Sequence, residues 1–74
     1  MFKEDIGIDA GTIWRHLSEK GILSIHEIGE LTDYRDGFIL MALGWLAREN
    51  KILFSEKDDA LYVELVSSSP EMYY

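Results

Sequence analysis

The chain has 74 residues, no cysteine and a formal net charge of −7, from fourteen Asp and Glu against seven Lys and Arg. That length gives one domain, near the lower limit for folding without disulfides or metals, and the missing thiols exclude a disulfide framework, a thiolate metal site and a cysteine nucleophile. The acidic balance works against binding a polyanion, which needs clustered cations, whereas Lys3, Arg15, Lys20, Arg35, Arg48, Lys51 and Lys57 are scattered.

The 47% hydrophobic content argues against disorder. No apolar run approaches the roughly 18 residues that span a bilayer. Met1-Phe2-Lys3-Glu4-Asp5 turns acidic at once and lacks the apolar core of a signal peptide. No membrane association is expected, and the expected location is the cytoplasm. A core this small is marginal, so a dimer interface would help it.

The first predicted element is a helix over residues 9–20. Ala10, Ile13, Trp14 and Leu17 recur at the spacing of an amphipathic helix. Asp9 is placed to cap it, and Ile8 with Ile13 has hydrophobic-staple spacing. Lys20-Gly21 closes it with a cation at the negative end and a residue free to take positive φ. Gly11 reads as a point of close helix packing. Ile22-Leu23 is a brief strand. Ser24 and Glu27 then form a capping-box pattern, with Leu23 and Ile28 as the staple. Ile25, Ile28 and Leu31 give this second helix its buried side. Thr32-Asp33 reads as the cap of a third helix, over residues 34–49, which Asn50-Lys51 ends.

Ile52-Leu53-Phe54 follows as a strand, residues 55–59 as a polar turn, and residues 60–66 as a second strand. There Leu61, Val63 and Leu65 alternate with Tyr62 and Glu64, the period of a half-buried strand. A two-stranded hairpin is unstable alone, so it is expected to pair with Ile22-Leu23 and to pack on the helices. Helix, short strand, helix, helix, strand, strand is the α+β layout of a winged helix-turn-helix, three helices plus a C-terminal β-hairpin wing. The domain is placed at residues 1–66, and residues 67–74 form a tail behind Ser67-Ser68-Ser69-Pro70.

Ala10-Gly11-Thr12-Ile13-Trp14, then Leu17, Gly21 and Ser24, and above all the run from Ala42 through Gly44-Trp45-Leu46-Ala47-Arg48-Glu49 to Lys51, carry a resemblance. The chain resembles a small winged helix-turn-helix family of bacteria and archaea classed as a domain of unknown function. The resemblance covers nearly the whole chain and implies the fold. It implies little about activity.

At about 100° per residue, Phe38, Ile39, Ala42, Leu43, Trp45, Leu46 and Glu49 fall on one side of the third helix, which is the core stripe. The other side carries Gly37, Leu40, Met41, Gly44, Ala47 and Arg48. A DNA-reading helix presents Arg, Lys, Asn, Gln, Ser or Thr there, not glycines and large apolar groups. Leu40 and Met41 are either buried under the wing or the N-terminal segment, or form a protein-facing patch. The patch is favoured, because little other chain is left to cover them. Gly37 and Gly44 would let a partner backbone come close, and Met72, Tyr73 and Tyr74 of the tail would add to the patch. A homodimer is the simplest geometry, with another protein as the other partner. The alternative is a DNA-binding regulator using Tyr34, Arg35, Arg48, Lys51 and Lys57, although Asp33, Asp36, Glu56, Asp58 and Asp59 crowd those cations.

No catalytic, cofactor or metal site is read from the chain. His16 and His26 lie on different helices without ligand spacing and read as surface imidazoles, with His26 four residues before Glu30. Gly7-Ile8-Asp9-Ala10-Gly11 lacks the lysine and third glycine of a phosphate loop. Asp58-Asp59 is a fragment of a calcium loop without the remaining ligands. Trp14 and Trp45 read as core anchors. A small-molecule sensor ranks third, since the chain is short for a pocket as well as a core.

Overall fold

The computed structural model describes residues 3–66. Helix α1 spans Lys3–Lys20, strand β1 Leu23–Ser24, helix α2 Ile25–Thr32, helix α3 Asp36–Arg48, strand β2 Ile52–Lys57 and strand β3 Ala60–Leu65. The element order is the one read from the sequence, and three helices with a three-stranded antiparallel sheet make the expected α+β winged helix. The proposed tail over residues 67–74 lies outside the described residues.

Helix α1 starts at Lys3, not at Asp9. Ile6 stands one turn before Ala10 on the stripe that Ile13 and Leu17 continue, so the apolar period runs further back than the cap signal suggested. Asp9 therefore lies inside the helix. Ile8 points away from the core at 66% exposure and forms no staple with Ile13. A Cβ on Gly11 would meet nothing within 4 Å, so close packing does not require that glycine. Gly7 is the one that faces α3, where a Cβ would touch the Trp45 ring at 3.7 Å. The end of α1 is as expected: Gly21 takes φ 90° and donates its N–H to the Leu17 carbonyl at 2.8 Å.

The capping box of α2 is complete. The Glu27 N–H donates to Ser24 Oγ at 3.1 Å, and the Ser24 N–H donates to Glu27 Oε1 at 2.8 Å. Leu23 and Ile28 are both buried around it, but Leu31, expected inside, is 39% exposed. Thr32-Asp33 turns out to close α2 instead of opening α3. Asp33 is left-handed at φ 63°, with its N–H on the Gly29 carbonyl, while Thr32 Oγ1 donates to the Ile28 carbonyl and accepts from the Tyr34 N–H. Asp tolerates the left-handed region better than most residues, so one signal serves either helix end. Helix α3 then begins at Asp36 behind Arg35, with no side-chain cap. Its far end is a Schellman motif: Asn50, at φ 59°, donates to the Ala47 carbonyl and Lys51 to the Leu46 carbonyl, both at 3.0 Å.

Strand β3 is central, paired with β1 on one side and β2 on the other. Val63 faces Leu23 and Phe54 across its two ladders, and Ile52 faces Leu65. The expected pairing of the hairpin with the short strand after α1 is therefore present. The turn is shorter than expected. Strand β2 continues through Ser55, Glu56 and Lys57, and only Asp58 and Asp59 remain as the loop, both at positive φ. Two left-handed residues match the twist of the flanking strands, as in a type I′ turn. The polar run escaped recognition because Ser55, Glu56 and Lys57 are all exposed, so that part of β2 carries no apolar alternation. The core gathers Ala10, Ile13 and Leu17 of α1, Ile28 of α2, four residues of α3, and Leu23, Ile52 and Val63 of the sheet. Trp14 and Trp45 pack against it half-buried, at its rim.

Two local devices can be tested by urea denaturation. Ser24→Ala, which breaks the capping box, is expected to lower stability by about 1 kcal/mol; an unchanged midpoint would show that the box carries no weight. Asp59→Gly is expected to raise stability by roughly 0.5 kcal/mol by relieving a left-handed β-carbon; a loss would mean that the Asp59 side chain itself holds the turn.

Candidate functional site

Helix α3 buries Ile39, Ala42, Leu43 and Leu46 against α1 and the sheet. Helical geometry then points Gly37, Met41, Gly44 and Arg48 straight outward, at successive spacings of four, three and four residues. All four are exposed. Met41 is 43% exposed and Leu40, on the flank, 51%. A Cβ built on Gly37 or Gly44 meets nothing within 4 Å, so Met41 stands between two recesses in the helix surface. Neither the wing nor α1 covers this line among the described residues.

Three residues of α3 and its end sit differently from their sequence assignment. Phe38, read as core, is 38% exposed and widens the apolar surface on the flank opposite Leu40. Ala47, read as part of the outer face, is half-buried and packs against the core. Glu49, placed at the end of the core stripe, is exposed at the C-cap of α3. Met72, Tyr73 and Tyr74 lie outside the described residues. Sequence reading also missed two exposed apolar residues on β2, the edge strand of the sheet. Leu53 is 53% and Phe54 47% exposed. Register accounts for them: Phe54 shares the inner face with Val63 but stands in the outer strand, and Leu53 sits opposite Glu64 on the outer face. Only the pairing reveals this.

The residues proposed for DNA contact do not converge. Tyr34 packs its ring against the core. Arg35 is exposed at the N-cap of α3 but stands between Asp33 and Asp36. Arg48 lies at the other end of the helix, about 20 Å away at 1.5 Å per residue. Lys51 is half-buried in the connection to β2, where its carbonyl accepts the Val66 N–H at 2.9 Å. Lys57 ends β2, beside Glu56 and the Asp58-Asp59 loop at the tip of the wing.

The two histidines also separate. His26 is a surface imidazole, with Nε2 3.4 Å from Glu30 Oε2 one turn on. His16 is not fully at the surface: it is half-buried, and its Nδ1 is shielded with no hydrogen-bond partner. Among the described residues no three His, Asp or Glu side chains group closely enough to hold a metal ion. No helix among them is long and apolar enough to cross a membrane. A shallow depression of about 200 Å³ on the outer face of the sheet is lined by Ile22, Ser55, Lys57 and Tyr62, smaller than the cavities that enclose typical ligands.

With this geometry in view, the chain can be set beside known proteins. A family model described as "Winged helix-turn-helix domain (DUF2582)" matches residues 1–65. The chain is 43% identical over 60 residues to the "Uncharacterized protein MJ1608" of Methanocaldococcus jannaschii, a match covering 78% of this chain and 84% of that one. The solution NMR structure of protein BT2368 from Bacteroides thetaiotaomicron has a similar fold, with a TM-score of 0.80 and 29% identity, covering 100% of this chain and 96% of the other.

Substitutions along α3 distinguish its two faces. Leu43→Ala is expected to lower stability by about 2–5 kcal/mol, because it opens a cavity in the core. Leu40→Glu and Met41→Glu, measured at low protein concentration, are expected to change it by less than about 0.5 kcal/mol. A penalty at Met41 as large as that at Leu43 would show that the outer line is covered.

Proposed function

The chain belongs to this winged helix-turn-helix family, and on that premise we propose that it is a non-catalytic recognition module whose helix α3 docks a protein instead of reading DNA. Its role is then regulatory or accessory, exerted through binding. The observation that carries this reading is the composition of the exposed line of α3: Gly37, Leu40, Met41 and Gly44, with Arg48 as its one cation. Base edges and phosphates are recognised by hydrogen-bond donors and acceptors, which this line lacks except at Arg48. A contiguous apolar surface on so small a domain is the ordinary mark of a protein interface.

Electrostatics point the same way. A wing that follows a phosphate backbone needs cations at its tip, and here the tip carries Asp58 and Asp59. The net charge of −7 adds a repulsive field around any duplex. A non-catalytic role agrees with how the polar side chains are engaged. The Ser24 hydroxyl is held as a helix cap, and His26 pairs with Glu30 on the surface of α2.

Titration of labelled duplex DNA of mixed sequence tests this directly. At about 50 mM salt, where counterion release is most favourable, no binding is expected up to tens of micromolar protein. Micromolar binding that weakens steeply with salt and is lost in Arg35→Ala or Arg48→Ala would replace the proposal with DNA recognition.

A further inference from the structure

We infer that the open edge of β2 is a second docking surface, which takes an extended segment of another protein, cationic in one half and apolar in the other. It is separate from the exposed line of α3 and does not depend on what α3 binds. Among the described residues β2 pairs only with β3, so its other side is an edge. The parity of the ladder fixes which groups lie there. In an antiparallel pair, alternate residues direct both backbone groups to the partner strand, and those between direct them away. The Val66 N–H donates to the Lys51 carbonyl at 2.9 Å, and the Asp58-Asp59 loop closes on the Lys57–Ala60 pair. Leu53, Ser55 and Lys57 therefore face β3, while Phe54 and Glu56 turn N–H and C=O to the open edge.

Native proteins blunt such edges by shortening the strand, bulging it, or placing proline or lysine on it. Strand β2 has 6 residues, keeps an uninterrupted register with β3 and holds no proline. Its lysine, Lys57, stands at the far end with its backbone turned to β3. Leu53 and Phe54 are exposed, one on each face of the sheet. The strand then changes character: Glu56 is exposed, and Asp58 and Asp59 follow in the loop. An added strand would gain backbone hydrogen bonds at Phe54 and Glu56, apolar contact at Leu53 and Phe54, and charge pairing at Glu56 and Asp58. Charge complementarity selects the partner, since the acidic end of β2 and the net charge of −7 repel an acidic segment. An antiparallel arrival sets the cationic half of that partner first and the apolar half last.

The probe is the peptide Lys-Thr-Arg-Thr-Val-Val with both ends capped, which antiparallel pairing sets with its Lys beside Asp58 and its last Val opposite Leu53. Titrated into the isotope-labelled full chain, it should bind saturably below about 1 mM. The Phe54 and Glu56 amides should shift in the NMR spectrum and gain protection from hydrogen exchange. N-methylation of the Arg and the first Val, whose N–H groups meet β2, should weaken binding at least about tenfold. Methylation of the two Thr, whose N–H groups point away, should leave it unchanged. Glu56→Lys, at an exposed position, should weaken binding at least about threefold while the melting temperature holds. No binding at about 1 mM, or equal binding by the charge-reversed Glu-Thr-Glu-Thr-Val-Val, overturns the inference. So does indifference to which pair of residues is methylated, the behaviour of side-chain attraction alone. Phe54 and Glu56 amides already protected in the dilute, peptide-free protein would show that residues 67–74 hold the edge, and protection that grows with protein concentration would show that a second copy does. Either result overturns the inference as well.

Discussion

The burial of one side of α3 is the contact on which the rest of the molecule depends. Ile39, Ala42, Leu43 and Leu46 leave essentially no surface in water, and they meet α1 on one flank and the sheet on the other. Each large side chain among them stabilises the fold by roughly 1.5–3 kcal/mol. The sheet meets that surface through β2, whose Ile52 is buried, while β3, with Val63 buried between its two partner strands, faces α1 and α2. Helices α1 and α2 and the sheet together cover that one side of α3. The described residues hold no further layer, and they leave the other side of α3 exposed.

That constraint makes the composition of the outer line informative. On a larger domain Leu40 and Met41 would read as core residues of a second interface within the chain. Here the described chain offers no such layer. The position α3 occupies is the one that helix-turn-helix proteins place in the major groove, yet it displays apolar surface between recessed glycines. Position in a fold and chemistry at a surface are separate properties, and only the second selects a partner.

How much of this was legible in the sequence depended on the range of the interaction involved. The capping box at Ser24 and Glu27, the Gly21 stop and the Asn50-Lys51 stop were readable because their hydrogen bonds close within a few residues of chain. The element order and the pairing of β1 with the hairpin followed from them, and so did the apolar outer face of α3. Signals shared by two structures failed. Asp9 resembled a cap but sits inside α1, and Thr32-Asp33 resembled a start but ends α2, because Asp and Thr stabilise caps, turns and left-handed residues alike. Features set by distant packing were not available at all. The exposure of Phe38 and Leu31 and the shielding of His16 Nδ1 depend on neighbours that no local pattern specifies.

The glycines of α3 bring these strands together. A glycine inside a helix lowers stability by roughly 0.5–1 kcal/mol relative to alanine, so in a marginal domain each one calls for a reason. Gly21 has one in its positive φ, and a Cβ on Gly7 would make an ordinary contact with the ring of Trp45 at 3.7 Å. Gly37 and Gly44 have neither: a Cβ on either would meet nothing, and neither has a positive φ. Gly11 shares that openness on α1, one turn after Gly7, but no exposed large apolar side chain stands between two open glycines there. The two on α3 stand in line, seven residues apart, on either side of the exposed Met41. Local preference and fold disagree there, and a sequence that breaks a local rule without gain in its own fold points to a requirement outside it. A helix surface kept free of β-carbons around one protruding side chain meets that requirement when another backbone lies against it.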